Sequence, residues 1–203
     1  MSIHPSAQVS NGVELGVGVV IGPKVIIMPG AIIGDYCVIG GRPESREVPR
    51  MDWENHVHGV LICSDAVLSE FVTVHSGTKD KTQIYSGVAI HAKSHVGHDS
   101  FIGSGTIIGG MTTIAGHVHI MKNAFVSGQN SMHQWSIIGA YAMLGAGSYL
   151  KGFIPPGEKW MSNPARPSGT NDVALERAGL TFNEVSDKYQ EEFNLLKTKS
   201  RLP

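Results

Sequence analysis

Residues 84–150 read IYSGVAIHAKSHVGHDSFIGSGTIIGGMTTIAGHVHIMKNAFVSGQNSMHQWSIIGAYAMLGAGSYL, and every sixth position is an aliphatic residue or methionine. The series is Ile84, Ile90, Val96, Ile102, Ile108, Ile114, Ile120, Val126, Met132, Ile138, Leu144 and Leu150. Upstream the same spacing runs through Ile3, Val9, Leu15, Ile21, Ile27, Ile33 and Ile39, and again through Ile62, Leu68 and Val74. Four residues after many of these comes a small or β-branched side chain, as at Ala7, Val25, Ala31, Thr106, Thr112, Ala124, Ala142 and Ser148. A period of six fits neither a helix nor an alternating strand and is the hexapeptide signature of a parallel β-helix.

Three hexapeptides close one triangular coil of eighteen residues, and successive coils stack as parallel strands about 4.8 Å apart. The expected fold is all-β: a left-handed parallel β-helix with a short α-helical tail. The left-handed sense is that of known hexapeptide proteins and does not follow from the period. The β-helix is expected over residues 1–154, with loop insertions at 41–61 and 78–83, and residues 155–203 form a C-terminal extension with short helices.

Composition agrees with a thin-walled solenoid: 25 glycines, 7% aromatic and 16% charged residues in 203. A net charge of −1 points away from nucleic acid as a partner. The opening residues MSIHPSAQV lack a basic region followed by an apolar one, and no apolar run approaches membrane-spanning length. These features predict a cytoplasmic protein without a membrane span. Cys37 and Cys63 are expected as reduced thiols.

In the tail, Asn171 or Asp172 is placed to cap a short helix closed by Gly179. Thr181 with Glu184 reads as a capping box for a second helix, along which Phe182, Val185, Tyr189, Phe193 and Leu196 share one face. The tail is expected to cover the open end of the solenoid or to pack on a neighbouring chain.

Seven of the ten histidines fall between residues 75 and 133, none at an inward position of the repeat. His119 and His91 read as exposed residues without a role. For the others, counting coils makes columns: Ser76, His98, Gly116 and Gln134 in one, His75, Gly97, Ala115 and His133 beside it, Asp99 and His117 in the next. His75, His98, Asp99, His117 and His133 therefore converge on one wall. A neutral imidazole beside an accepting carboxylate is suited to proton abstraction.

The segments Val72-Thr-Val-His-Ser-Gly-Thr78, Ser94-His-Val-Gly-His-Asp99, Thr113-Ile-Ala-Gly-His-Val118, Met132-His-Gln-Trp135, Asn163-Pro-Ala-Arg-Pro167 and Leu175-Glu-Arg-Ala-Gly179 resemble the UDP-N-acetylglucosamine acyltransferases of lipid A biosynthesis. The resemblance implies a homotrimer with active sites between adjacent β-helices. It implies His98 as general base, Asp99 as its support and the Gly116 N–H as oxyanion donor. His75, His95, His117, His133, Gln134, Asn171 and Arg177 match substrate-lining residues, and Ala146 the position that limits acyl depth. It further implies a (3-hydroxy)acyl group carried on acyl carrier protein, a nucleotide-sugar acceptor, and no bound cofactor or metal. Where the family has a Gln-Asp pair that meets the sugar this chain has Glu44-Ser45, and Val173 and Ala178 stand where a Glu and a second Arg approach the nucleotide. Coenzyme A thioester as donor to another nucleotide sugar is the alternative. A zinc lyase like the γ-carbonic anhydrases and a silent scaffold are the readings from other classes.

Overall fold

The structure, a computed structural model, describes residues 1–202 and is a parallel β-helix with a helical tail. Three flat walls of two- to five-residue strands are joined at tight corners. The first wall stacks eight strands from Ser2–Ile3 to Tyr149–Leu150, and the second stacks eight from Gln8–Val9 to Phe153–Ile154. The third runs from Glu14–Leu15 through Glu158–Met161 and ends with the antiparallel strand Arg166–Thr170. Coil registers keep the spacing of eighteen, as in Val96 opposite Ile114 and Ile114 opposite Met132.

The periodic aliphatic residues form one continuous core, with Ile102, Ile108, Ile114 and Ile120 fully buried. At most corners one residue adopts a left-handed backbone, either a glycine such as Gly105 or a single non-glycine residue. Asp99, His117 and Trp135 hold it at one corner with φ of 59°, 61° and 67°.

The departures from expectation are local. The strand Glu158–Met161 pairs in parallel with Met143–Leu144, so the third wall continues past residue 154. Thr82 and Gln83, expected within the inserted loop, belong to the strand Thr82–Ile84. The tail forms the helices α1 (Asp172–Ala178) and α2 (Phe182–Lys199), which pack on the solenoid of their own chain. Val185, Tyr189 and Phe193 pack with Leu175 against Met121, Ile137 and Ala140 on the outer face of the second wall of the same chain. The reason is that those wall positions, outward by period, are apolar here and must be buried. The capping box forms as expected, Glu184 Oε2 accepting the Thr181 N–H at 2.7 Å. No helix among the described residues is long and apolar enough to cross a membrane.

Candidate active site

The corner between the first and second walls carries the histidine cluster. His98 precedes the left-handed residue Asp99, and its ring lies against the next coil at Gly116. A Cβ at position 116 would sit 2.7 Å from both Nε2 and Cε1 of that ring, so only glycine admits the imidazole there. The Gly116 N–H enters no backbone pairing among the described residues and remains available beside His98 Nε2.

Asp99 is the hub, its side chain 5% exposed. Oδ1 accepts N–H groups from Thr78, Lys79 and Asp80 at 2.9, 2.8 and 3.1 Å. Oδ2 accepts the Thr78 hydroxyl at 2.7 Å and lies 2.7 Å from His98 Nδ1. Burial alone would raise this carboxyl, but hydrogen bonds from His98, the Lys79 amide, the Thr78 side chain and the Asp80 amide outweigh it and hold the group well below the usual carboxylate range. An ionised carboxylate only accepts, so the proton between the two residues sits on Nδ1 and leaves the Nε2 lone pair of His98 free to take another.

His117 meets the His98 ring edge-on at 5.0 Å and brings Nε2 to 3.9 Å from Asp99 Oδ2. Its other neighbour is Trp135, stacked at 3.9 Å. Burial pushes the His117 imidazole below its ordinary value, with Asp99 pulling the other way. On the first wall His75 and His95 pack edge to face at 4.5 Å, and His95 Nδ1 lies 2.8 Å from Thr73 Oγ1. Among the described residues His75 Nδ1 is buried without a partner, and burial, followed by the neighbouring His95, pushes His75 down to about 4. Glu44 acts on both rings in the opposite direction, which puts one of the two altered loop positions at this wall. His133 and the exposed Gln134 occupy the coil above Gly116, with His133 Nδ1 2.9 Å from the Gln134 carbonyl.

His75, His95, His98, Asp99, Gly116, His117, His133 and Gln134 thus share one wall and corner. Three other expected residues do not join them. Ala146 lines a cleft of about 520 Å³ with Lys93, Met111 and Gln129 at the corner between the third and first walls. Asn171 and Arg177 border a cleft of about 560 Å³ with Ile107, Phe125, Met143 and Val173 at the remaining corner. Asn171 makes no side-chain cap on α1; its amide donates to the Tyr141 carbonyl at 2.8 Å instead. His119 departs from its expected exposed, idle state: it stacks on Phe101 at 4.2 Å and is pushed down to about 4 by burial.

Trp135 and Thr78 were not among the expected site residues. Trp135 lies eighteen residues beyond His117, so the column rule contained it, whereas Thr78 sits in an insertion where no column rule applies. Ligand atoms of His98, Asp99 and His117 lie within 4.8 Å of one another, a spacing that could suit a metal ion. The carboxylate does not fit that role, because five donors already occupy its oxygens and leave no lone pair for a cation.

No family model matches the chain. The acyl-[acyl-carrier-protein]–UDP-N-acetylglucosamine O-acyltransferases of Burkholderia mallei and Burkholderia thailandensis are each 34% identical over 156 residues, which is 75% of this chain and 58% of theirs. The chain therefore spans under two thirds of the length of these curated relatives. The solved LpxA of Acinetobacter baumannii is 26% identical with a TM-score of 0.75, covering 91% of this chain and 78% of that one. The UDP-N-acetylglucosamine acyltransferase of Campylobacter jejuni is 27% identical with a TM-score of 0.68, covering 93% and 82%. That of Francisella novicida, at 24% identity and a TM-score of 0.79, shares the fold. The chain is a hexapeptide-repeat parallel β-helix homologous to the UDP-N-acetylglucosamine acyltransferases.

Proposed function

We propose that the protein is an acyltransferase that moves a (3-hydroxy)acyl group from acyl carrier protein to a hydroxyl or amine of a UDP-N-acetylglucosamine-like nucleotide sugar. The observation that carries this reading is the His98 ring, tied to Asp99 through Nδ1 and laid over the Gly116 backbone. Nε2 takes the proton as the acceptor's oxygen or nitrogen attacks the thioester carbonyl. The Gly116 N–H meets the oxyanion, and the intermediate collapses as the thiol leaves and recovers the proton from His98. No bound cofactor is needed for these steps.

His75, His95, His117, His133 and Gln134 would hold the acceptor sugar. Ala146, Asn171 and Arg177 lie at the other two corners, so their contribution requires a second copy of the chain. A closed three-fold ring, which sets one corner of each copy against another of its neighbour, is the simplest assembly that provides it. We place the reaction in the cytoplasm. The saturated Asp99 carboxylate favours this reading over a zinc lyase.

The test is direct. The purified protein is incubated with 3-hydroxyacyl carrier protein or the matching coenzyme A thioester, each with UDP-N-acetylglucosamine and related nucleotide sugars, and acylated sugar is read by mass spectrometry. Transfer that falls about 10²–10⁴-fold in a folded His98→Ala variant is the expected result. Folded protein that transfers from neither donor to any acceptor would sink the proposal, and transfer from coenzyme A alone would replace the donor.

A further inference from the structure

One coil of the solenoid is too long. Val74 pairs with Val96 and Gln83 with Phe101, so eight residues span a corner that four span in the next coil. The excess folds over that next corner, and three consecutive backbone N–H groups, those of Thr78, Lys79 and Asp80, converge on Asp99 Oδ1. Successive amides aimed at one point form an anion-binding nest. Here the anion is the protein's own carboxylate.

The nest is held from several sides. The Gly77 N–H donates to the Gly59 carbonyl at 3.0 Å, and Lys81 Nζ donates to the His58 carbonyl at 2.8 Å. The Thr82 hydroxyl accepts the Asp99 N–H at 2.9 Å, which fixes the backbone beneath the carboxylate. Asp99 therefore keeps its place by Oδ1 and its main chain. The oxygen that serves His98 is the other one, Oδ2, which takes the imidazole N–H and the Thr78 hydroxyl, each at 2.7 Å, and the Thr78 N–H more distantly at 3.1 Å.

We propose that Thr78 is a positioning residue for the base: through its hydroxyl on Asp99 Oδ2 it sets how strongly the carboxylate holds a proton on His98. The inference rests on the reading of His98 as the base. Charge that Oδ2 shares with the Thr78 hydroxyl is not available to the imidazole, so the imidazolium is held less tightly and the neutral, working form persists to lower pH. The titratable and charged groups around His98 are Asp99 at its own corner, His117 from the next coil and His95 and His75 on the first wall, with Lys79 and Arg201 beyond His117. None of these changes when the hydroxyl alone is removed.

Thr78→Val is the informative variant, since it keeps the backbone N–H and the β-branched shape. The acid limb of kcat/KM should move up by about half to one pH unit, with roughly a three- to tenfold loss below the limb and little change at pH 8. Thr78→Ser should restore the native limb. The same upward movement should appear in the titration of the His98 resonance by NMR on histidine-labelled protein without substrate. A uniform fall in activity with the limb and the His98 titration unmoved would make Thr78 merely structural and overturn the proposal. The NMR titration decides the matter even if no acyl transfer is found, so failure of the acyltransferase reading and failure of this one are separate results.

Discussion

Trp135 and His117 stack face to face, ring centroids 3.9 Å apart and planes within 4° of parallel, although eighteen residues separate them in the chain. The Arg201 guanidinium lies 5.4 Å from the other partner ring, over Trp135, and the Ser200 hydroxyl donates to the Trp135 carbonyl at 2.9 Å. The indole thus shields His117 and anchors the end of the tail. Trp135→Ala should cost about 1–2 kcal/mol from the lost stack and burial. Because burial is the largest cause of the depressed His117 value, its titration should move up toward the ordinary range. NMR titration of His117 alongside thermal unfolding checks both, and an unmoved midpoint would show that the indole does not shield the ring.

Gly116 should tolerate no side chain. Its missing Cβ is the space that the His98 ring fills, with closest approaches of 2.7 Å to Cε1 and Nε2. Gly116→Ala is expected to swing the imidazole outward and lower kcat on the order of 10²-fold. The corner is outside the core, so stability should change by less than about 1 kcal/mol. Full activity in the alanine variant would show that the ring does not work from this position.

His119 should make the fold sensitive to acid. Burial, with Lys199 adding to it, pushes its value from 6.5 down to about 4, so folding favours the neutral ring. A value depressed in the folded state gives stability that is complete above about pH 6.5 and is lost as pH falls toward 4. At roughly 1.4 kcal/mol per unit the contribution is at most about 3.5 kcal/mol. Denaturant unfolding at pH 7 and pH 4.5 should show a smaller difference for His119→Gln than for the native chain. His75, also pushed down to about 4, would leave a residual slope.

A site shared between copies predicts rescue in mixed assemblies. His98 lies in one coil and His133 two coils on, so His98→Ala and His133→Ala remove different parts of one wall. If His133 serves the neighbour's His98, co-expression of the two inactive chains rebuilds some interfaces with both histidines intact. Measurable turnover above either variant alone is the expected outcome, once His133→Ala is shown to be impaired by itself. Mixed trimers as inactive as their parents would confine the site to one chain.

Much of the site was legible because a coil of fixed length turns sequence separation into position. Eighteen residues carry His98 to Gly116 and Asp99 to His117, and the strand registers obey that interval on both sides of the corner. The same count carries His117 to Trp135, so the stacking partner lies in the same column. The capping box at Thr181 and Glu184 was equally local, since its two hydrogen bonds span three residues.

The period by itself determined the fold, because an aliphatic residue every six positions has a consistent inside only in a three-walled coil. It also determined which histidines face outward together. Tertiary structure alone decided what the insertion does. Residues outside the repeat have no register, so nothing in the order Gly77-Thr78-Lys79-Asp80 reveals that its amides close on Asp99. The helices likewise had an apolar face in the sequence, but which surface they cover depended on Met121 and Ile137 projecting from the second wall. Ala146, Asn171 and Arg177 ended at corners remote from His98 because a rigid solenoid holds its three edges apart, and only the packing of one copy on another can bring edges together.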